Sequence, residues 1–160
     1  MTRTELDLLL AVQRRTPPAA LPLARGLSSA GEHAAAWLAI GLAGVALDPG
    51  RRPAWARATG TVFVAHAVSV VVKRLARRVR PVHDALLIGV GVPSRWSFPS
   101  SHATSTTAAA LAYGGVLGSR LPLVVVPAMA WSRLALGVHY PSDVAAGSLL
   151  GAAVAVAGRR

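Results

Sequence analysis

The sequence predicts an all-α integral membrane protein: a helical bundle of about five transmembrane helices, preceded by an N-terminal amphipathic interfacial helix. Hydrophobic residues make up 53% of the 160 residues and charged residues only 14%. A soluble domain carries about 25% charged residues, so this composition favours a membrane protein. The apolar residues form runs separated by turn signals, without the alternation of a β-barrel strand. Because backbone polar groups must be paired inside a bilayer, these runs are predicted as helices.

The composition also excludes several classes of protein. The chain is too apolar for intrinsic disorder, and without cysteine it has no disulfide, thiolate zinc site or catalytic thiol. The net charge is +11, but the basic residues lie between the apolar runs and form no separate basic face. This distribution argues against nucleic acid and favours anionic lipid or an anionic substrate. Lys73 is the only lysine among the 17 basic residues.

The runs and their breaks give the predicted elements. Residues 1–20 are predicted as the interfacial helix, ended by two prolines. The five predicted spans cover residues 33–48, 54–72, 102–117, 121–138 and 143–158, with residues 21–31 considered as an extension of the first. Gly147 and Gly151 form a G-x-x-x-G pattern, which we interpret as close helix packing within the chain. The alternative is that this pattern forms the contact of a homodimer. Residues 1–160 are treated as a single membrane-embedded domain, whose polar motifs lie within 60–155.

Polar residues gather at the ends of these spans. With alternating spans, four span ends meet at one membrane face, and ionisable residues at membrane depth are costly and tend to mark function. The residues at that face are Lys73, Arg80, Ser100, His102, Arg133, His139 and Asp143.

Their types fit phosphoryl transfer. The three cations can hold the oxygens of a phosphoryl group. Ser100 or Ser101 is a natural N-cap for the span that follows, and the free N–H groups of a helix start bind anions. His139 and Asp143 are four residues apart at a helix start, so the carboxylate can hold one imidazole nitrogen and leave the other as nucleophile or base. His102 can protonate a leaving oxygen.

Three motifs, in order, resemble the signature of the type 2 phosphatidic acid phosphatase family. Residues 73–81 read KRLARRVRP and fit K-x6-R-P; residues 99–102 read PSSH, close to P-S-G-H; residues 132–143 read SRLALGVHYPSD and fit S-R-x5-H-x3-D. The resemblance spans about residues 60–155 and implies a membrane lipid phosphatase that needs no metal or other cofactor.

The resemblance also implies a role for each matching residue. His139 would attack phosphorus and form a phosphohistidine, Asp143 would orient His139, and His102 would protonate the leaving group and then activate water. The phosphate would be bound by Lys73, Arg80, Ser100, Arg133 and the backbone at Ser101. Ser101 departs from the family, which usually has glycine there. We expect no strain from it, because the position reads as the first turn of a helix.

A narrower resemblance concerns the substrate. The stretches FPSSHATSTTAAA and LGVHYPSD are similar to the actinobacterial branch of the family that acts on decaprenylphosphoryl-5-phosphoribose, on the route to the arabinan precursor of the cell wall. A polyprenyl diphosphate phosphatase that recycles the carrier lipid, a phosphatidic acid-type phosphatase and a catalytically silent lipid-binding protein are the alternatives. Each implies a multi-pass protein of the cell membrane with a membrane lipid as its partner.

Some polar residues are expected to have no part in the chemistry. Arg74, Arg77 and Arg78 are interpreted as contacts to anionic lipid. His66, seven residues before Lys73, is interpreted as a hydrogen-bonded packing residue, with a supporting role behind the site as the alternative. His83 and Asp84 are interpreted as solvated loop residues, with contact to the substrate head as the alternative.

Overall fold

The computed structural model of the protein describes residues 3–159. Over these residues the chain forms seven α-helices, some of them joined by single 3-10 turns, and the predicted all-α class is confirmed. The helices are α1 Arg3–Arg15, α2 Leu21–Gly31, α3 Ala35–Leu47, α4 Arg52–Ala76, α5 Ser101–Leu117, α6 Val125–Ala135 and α7 Pro141–Ala157.

Helix α5 lies at the centre of the bundle, packed chiefly against α4 and α7, while α3 packs on α4 and α2 on α6. Helix α4 has 25 residues, a length of about 37 Å. It continues one turn beyond the predicted span and ends at Arg77, whose φ of 48° is left-handed. A long connection, residues 77–100, then leads to α5.

Two helical stretches, residues 18–47 and 49–76, are long and apolar enough to cross a membrane. Helices α5 and α7 have 17 residues each and α6 has 11. A hydrocarbon core needs about 20 helical residues, so the count of five spans stays a prediction. Large apolar side chains nevertheless project outward from several helices: Leu42 is 62% exposed, Phe63 61% and Leu149 72%.

The first of these stretches is bent in its middle. His33 and Ala34 have left-handed φ values of 48° and 59°, and they separate α2 from α3. Neither of these two positions holds a glycine or a proline, the residues that would predict a bend there. Beyond it, α3 packs with α4 and α5 around Trp55, Val62 and Tyr113.

Helix α1 covers the predicted N-terminal helical segment. Its buried residues Leu6 and Leu9 pack against Leu86 of the 77–100 connection. The protein itself therefore covers much of the apolar face of α1, and an interfacial position for this helix stays a prediction.

Candidate active site

The starts of α5 and α7 are held side by side by two glycines of α7. A β-carbon on Gly147 would lie 2.5 Å from the backbone oxygen of Ser100, and one on Gly151 would lie 2.2 Å from that of Thr104. These distances are too short for any side chain, so the G-x-x-x-G pattern serves close packing within the chain, as predicted. The Ser100 backbone N–H also donates to the Asp143 carbonyl at 3.0 Å, which joins the two helix starts directly.

Ser100 is the N-cap of α5. Its hydroxyl accepts from the Ala103 backbone N–H at 3.4 Å, and Ser101 is the first residue of the helix. Ser101 has no positive φ, so the expectation that serine fits this position without strain is confirmed. The hydroxyl oxygen of Ser101 is buried and has no hydrogen-bond partner.

His139 is buried between α6 and α7, with 2% of its surface exposed. Its Nε2 lies 3.3 Å from a terminal guanidinium nitrogen of Arg80. Because a guanidinium only donates, this nitrogen of the ring carries the lone pair and Nδ1 carries the proton. Burial, reinforced by the charges of Arg133 and Arg80, holds the pKa of the His139 imidazole well below its ordinary value. The ring is therefore neutral, as a nucleophile must be.

Asp143 lies beside His139, but the expected hydrogen bond between them is not formed. Nδ1 of His139 is 3.6 Å from Oδ2 of Asp143 and has no hydrogen-bond partner. Oδ2 accepts instead from the Tyr140 backbone N–H at 2.8 Å, which caps α7. The carboxylate thus faces the Nδ1 proton at a distance suited to charge stabilisation rather than hydrogen bonding.

The three predicted cations surround this histidine in different ways. Arg80 is fixed by the carbonyls of Ser94 and Val138, each at 2.7 Å. Arg133 is 2% exposed and donates to the Ser28 hydroxyl at 2.6 Å, while its Nε is buried without a partner. Lys73 donates to the carbonyls of Trp96, Ser97 and Pro99, at 2.8–3.2 Å.

His102 lies across from His139 at the start of α5. Its Nε2 is 3.0 Å from the Ser28 carbonyl oxygen, which only accepts, so this nitrogen carries a proton. The same nitrogen is 3.8 Å from a carboxylate oxygen of Glu32. His102 is thus a hydrogen-bond donor to the Ser28 carbonyl.

Six of the eight predicted site residues line one cavity of about 390 Å³. The other two, Ser100 and Asp143, are buried and do not line it. The predicted residues that line it are Lys73, Arg80, Ser101, His102, Arg133 and His139. A buried neutral imidazole, a proton-bearing imidazole and three cations around one cavity can bind a phosphoryl group and transfer it.

The structure also adds residues that the sequence pattern did not select. His66 lines the cavity together with Glu32 and His33, so its interpretation as a packing residue was incomplete. Its spacing of seven residues from Lys73 was a usable signal, because residues seven apart share a helix face.

Arg78, which the sequence suggests as a contact to anionic lipid, forms hydrogen bonds within the protein. It donates to Oδ1 of Asp143 at 2.9 Å, to the Ser142 hydroxyl at 2.6 Å and to Glu5 at 2.8 Å. Its guanidinium also lies 4.2 Å from the centre of the Tyr140 ring. Ser142 in turn donates to Glu5, so a network from α1 reaches the carboxylate behind His139. Nothing in the basic run at residues 73–80 distinguishes Arg78 from its neighbours.

Comparison with known proteins places these features in a family. The PAP2 superfamily matches residues 54–160. The chain is 53% identical over 154 residues to the decaprenylphosphoryl-5-phosphoribose phosphatase of Mycobacterium tuberculosis, covering 95% of this chain and 87% of that protein. It is 49% identical over 147 residues to the enzyme of the same name in Mycolicibacterium smegmatis, covering 91% and 82%.

Two solved structures share the fold. LpxE of Aquifex aeolicus superposes with a TM-score of 0.78 at 14% identity, covering 99% of this chain and 96% of that one. The transmembrane PAP2-type phosphatidylglycerolphosphate phosphatase of Bacillus subtilis superposes with a TM-score of 0.76 at 19% identity, covering 99% and 86%. The motifs, the superfamily match and the identity to these relatives lead to one conclusion: the chain belongs to the PAP2 superfamily.

Proposed function

We propose that this protein is a multi-pass phosphatase of the cell membrane that removes the phosphomonoester from decaprenylphosphoryl-5-phosphoribose. One observation carries the reaction class: His139, with its lone pair on Nε2, lines the same cavity as three cations. The relatives at 53% and 49% identity carry the name of that activity, and they support the choice of substrate.

The first step follows from the arrangement at His139. Its Nε2 attacks phosphorus and forms an N–P bond while the bond from phosphorus to the ribose oxygen breaks. The positive charge that develops on the ring is stabilised by Asp143, 3.6 Å from Nδ1. Arg80, Arg133 and Lys73 neutralise the phosphoryl oxygens.

His102 completes the two-step reaction. For the first step His102 acts as an imidazolium, protonated on both ring nitrogens. It gives one proton to the departing ribose oxygen, and the neutral ring then takes a proton from the water that attacks the phosphohistidine. Hydrolysis returns His139 to its starting state and releases phosphate. All of these groups come from the chain, and we propose that the reaction needs no metal.

The test is phosphate release by the detergent-purified protein in EDTA. The panel holds decaprenylphosphoryl-5-phosphoribose, a polyprenyl diphosphate and phosphatidic acid. We expect release from the first, lost in His139→Ala and retained in His83→Ala, an exposed histidine outside the cavity. Preference for another lipid would overturn the substrate, and activity lost in EDTA but restored by magnesium would overturn metal independence.

The intermediate has its own readout. Acid-labile, base-stable phosphate bound to the protein after rapid quenching, mapped to residue 139 by mass spectrometry, would support the phosphohistidine. The His102→Gln variant should hydrolyse the adduct more slowly and so accumulate it. Phosphate release without a detectable adduct, in both the wild type and this variant, would contradict the phosphohistidine.

A further inference from the structure

Three further polar residues line the cavity and have no part in the proposed reaction. They are Glu32, His33 and His66, which come from the bend between α2 and α3 and from the middle of α4. We call these three residues the polar wall.

The side chains of the polar wall lie close together but are not hydrogen-bonded to one another. One carboxylate oxygen of Glu32 is 3.6 Å from Nε2 of His33 and the other is 3.8 Å from Nε2 of His102, both beyond hydrogen-bond length. The rings of His33 and His66 lie edge to face, 6.2 Å apart. Nδ1 of His66 is buried and has no hydrogen-bond partner. The wall therefore retains capacity to donate and accept hydrogen bonds.

The backbone is strained where it forms this wall. His33 and Ala34 adopt left-handed φ values of 48° and 59°, a conformation that residues with a β-carbon rarely adopt. Strain of this kind persists where the surrounding structure enforces it, often at functional sites. Here the bend carries Glu32 and His33 to the cavity wall.

The charge of Glu32 restricts what this wall can bind. A carboxylate repels a second phosphate placed beside it, and it accepts hydrogen bonds from hydroxyl groups. The two imidazoles can each donate to, or accept from, a hydroxyl. The chemistry of the polar wall is thus suited to a hydroxylated carbon skeleton and unsuited to a second phosphate.

We propose that Glu32, His33 and His66 bind the hydroxyl groups of the sugar whose phosphate the cations hold, and that they select sugar phosphates over diphosphates. The proposal rests on the proposed function in taking the cavity as the substrate site. It adds the residues that recognise the organic part of the substrate.

A second role for Glu32 predicts a different result. Through its position near His102 it could set the protonation of that ring alone. In that case removing the carboxylate would lower turnover of every substrate equally and leave binding preferences unchanged. A hydroxyl-binding role instead changes the preference between ligands that differ only in their hydroxyls.

The experiment measures binding to detergent-purified full-length His139→Ala protein, which cannot form the phosphohistidine. The probes are ribose 5-phosphate, 2,3-dideoxyribose 5-phosphate and inorganic phosphate. Because hydrogen bonds to charged groups contribute strongly, we expect ribose 5-phosphate to bind about 10-fold or more tightly than the dideoxy compound. Adding Glu32→Gln should reduce this ratio to about threefold or less and leave the affinity for inorganic phosphate undiminished.

Matched variants complete the design. Asp84→Asn removes an exposed carboxylate outside the cavity and should leave the ratio unchanged, while His66→Phe should lower it independently of Glu32. Equal binding of the two sugar phosphates by the parent would overturn the proposal. A ratio that survives both Glu32→Gln and His66→Phe would also overturn it.

Failure of this proposal and failure of the proposed function give different patterns. If decaprenylphosphoryl-5-phosphoribose is not the substrate, wild-type protein releases no phosphate from it, yet the binding ratio still reports on the polar wall. If only the polar wall is misassigned, phosphate release persists and the two sugar phosphates bind with equal affinity.

Discussion

The two ends of α4 use charged residues in opposite ways. At its start, Asp48 accepts hydrogen bonds from Arg51 at 2.6 Å and from the Trp55 indole at 3.0 Å, and the side chain of Arg51 is 52% exposed. Near its end, Lys73 is only 9% exposed and Arg133 of α6 only 2%. Opposite charges are paired in water at the first end, whereas like charges are gathered away from water at the second.

This difference shows what each end contributes. An exposed pair costs little to maintain and contributes little to stability. Buried cations carry a large desolvation penalty, which the nearby carboxylates of Asp143 and Glu32 offset only in part. We infer that an anionic substrate supplies the remaining negative charge, so that stability is given up for binding at the site end and not at the other end.

The largest expected effect comes from replacing one buried cation by an apolar side chain of similar length. Arg133→Met should lower kcat/KM by about 100–1,000-fold, the effect of losing one donor to the transition state. It should also raise the thermal unfolding midpoint in detergent, because a desolvated charge is removed. Arg51→Met, at the opposite end, should leave kcat/KM within about twofold of wild type and raise no midpoint. A thermal unfolding midpoint of Arg133→Met below that of wild type would contradict the inference that this arginine lowers stability.

The Arg78 network gives the next largest effect. Arg78→Gln should lower kcat by about 10-fold or more with little change in KM, since the charge-assisted hydrogen bond orients Asp143 rather than the substrate. Arg78→Lys should restore part of the loss. The adjacent Arg77, which is exposed, is the control, and Arg77→Gln should retain wild-type kcat. Equal losses in the two glutamine variants would show that only the general charge of the segment matters.

A smaller effect is expected from the helix seam. The β-carbon of Gly151→Ala would meet the Thr104 carbonyl oxygen at 2.2 Å, forcing α5 from α7 at a cost of about 1–3 kcal/mol. Gly60→Ala in α4 meets nothing within 4 Å and should be neutral or stabilising, because alanine favours the helix. Unfolding midpoints and kcat measured together test this, since only Gly151→Ala should lower both.

The smallest effect is a pH dependence of stability at Glu5. Burial acts to raise the pKa of Glu5, but hydrogen bonds from Ser142 and Arg78, with the charge of Arg78, outweigh it and hold the pKa below its ordinary value. A lowered carboxyl pKa stabilises the fold above the ordinary pKa and loses this contribution as pH falls. Wild type should therefore unfold at a higher temperature than Glu5→Gln at pH 7, and the difference should shrink below about pH 4. A difference that grows on acidification would refute the assignment.

Much of the helical framework was predictable, because its boundaries carry strong local signals. The span predicted over residues 102–117 is observed as Ser101–Leu117, and that over 143–158 as Pro141–Ala157. Serine at the N-cap and proline in the first turn define these starts. The bend at His33 and Ala34 lies at the predicted boundary between residues 31 and 33, just after Gly31. Its left-handed φ values were not predictable, because neither residue is a glycine.

The candidate site was predictable where a motif fixed both residue type and spacing. His102, His139 and Arg133 line the cavity as expected. Arg78 and Glu5 were missed for a physical reason: their partners lie 65 and 137 residues away in the chain. A local pattern cannot distinguish an arginine that turns inward from one beside it that stays in solvent.

The lone lysine also makes this protein a convenient chemical reporter. Lys73 is the only side-chain amine in the chain, and its ammonium group holds the carbonyls of Trp96, Ser97 and Pro99. An acylating reagent can modify this amine only when those three contacts open. The rate of acylation at Lys73, read by peptide mass spectrometry, therefore reports how often these three hydrogen bonds open, without any label being engineered into the protein.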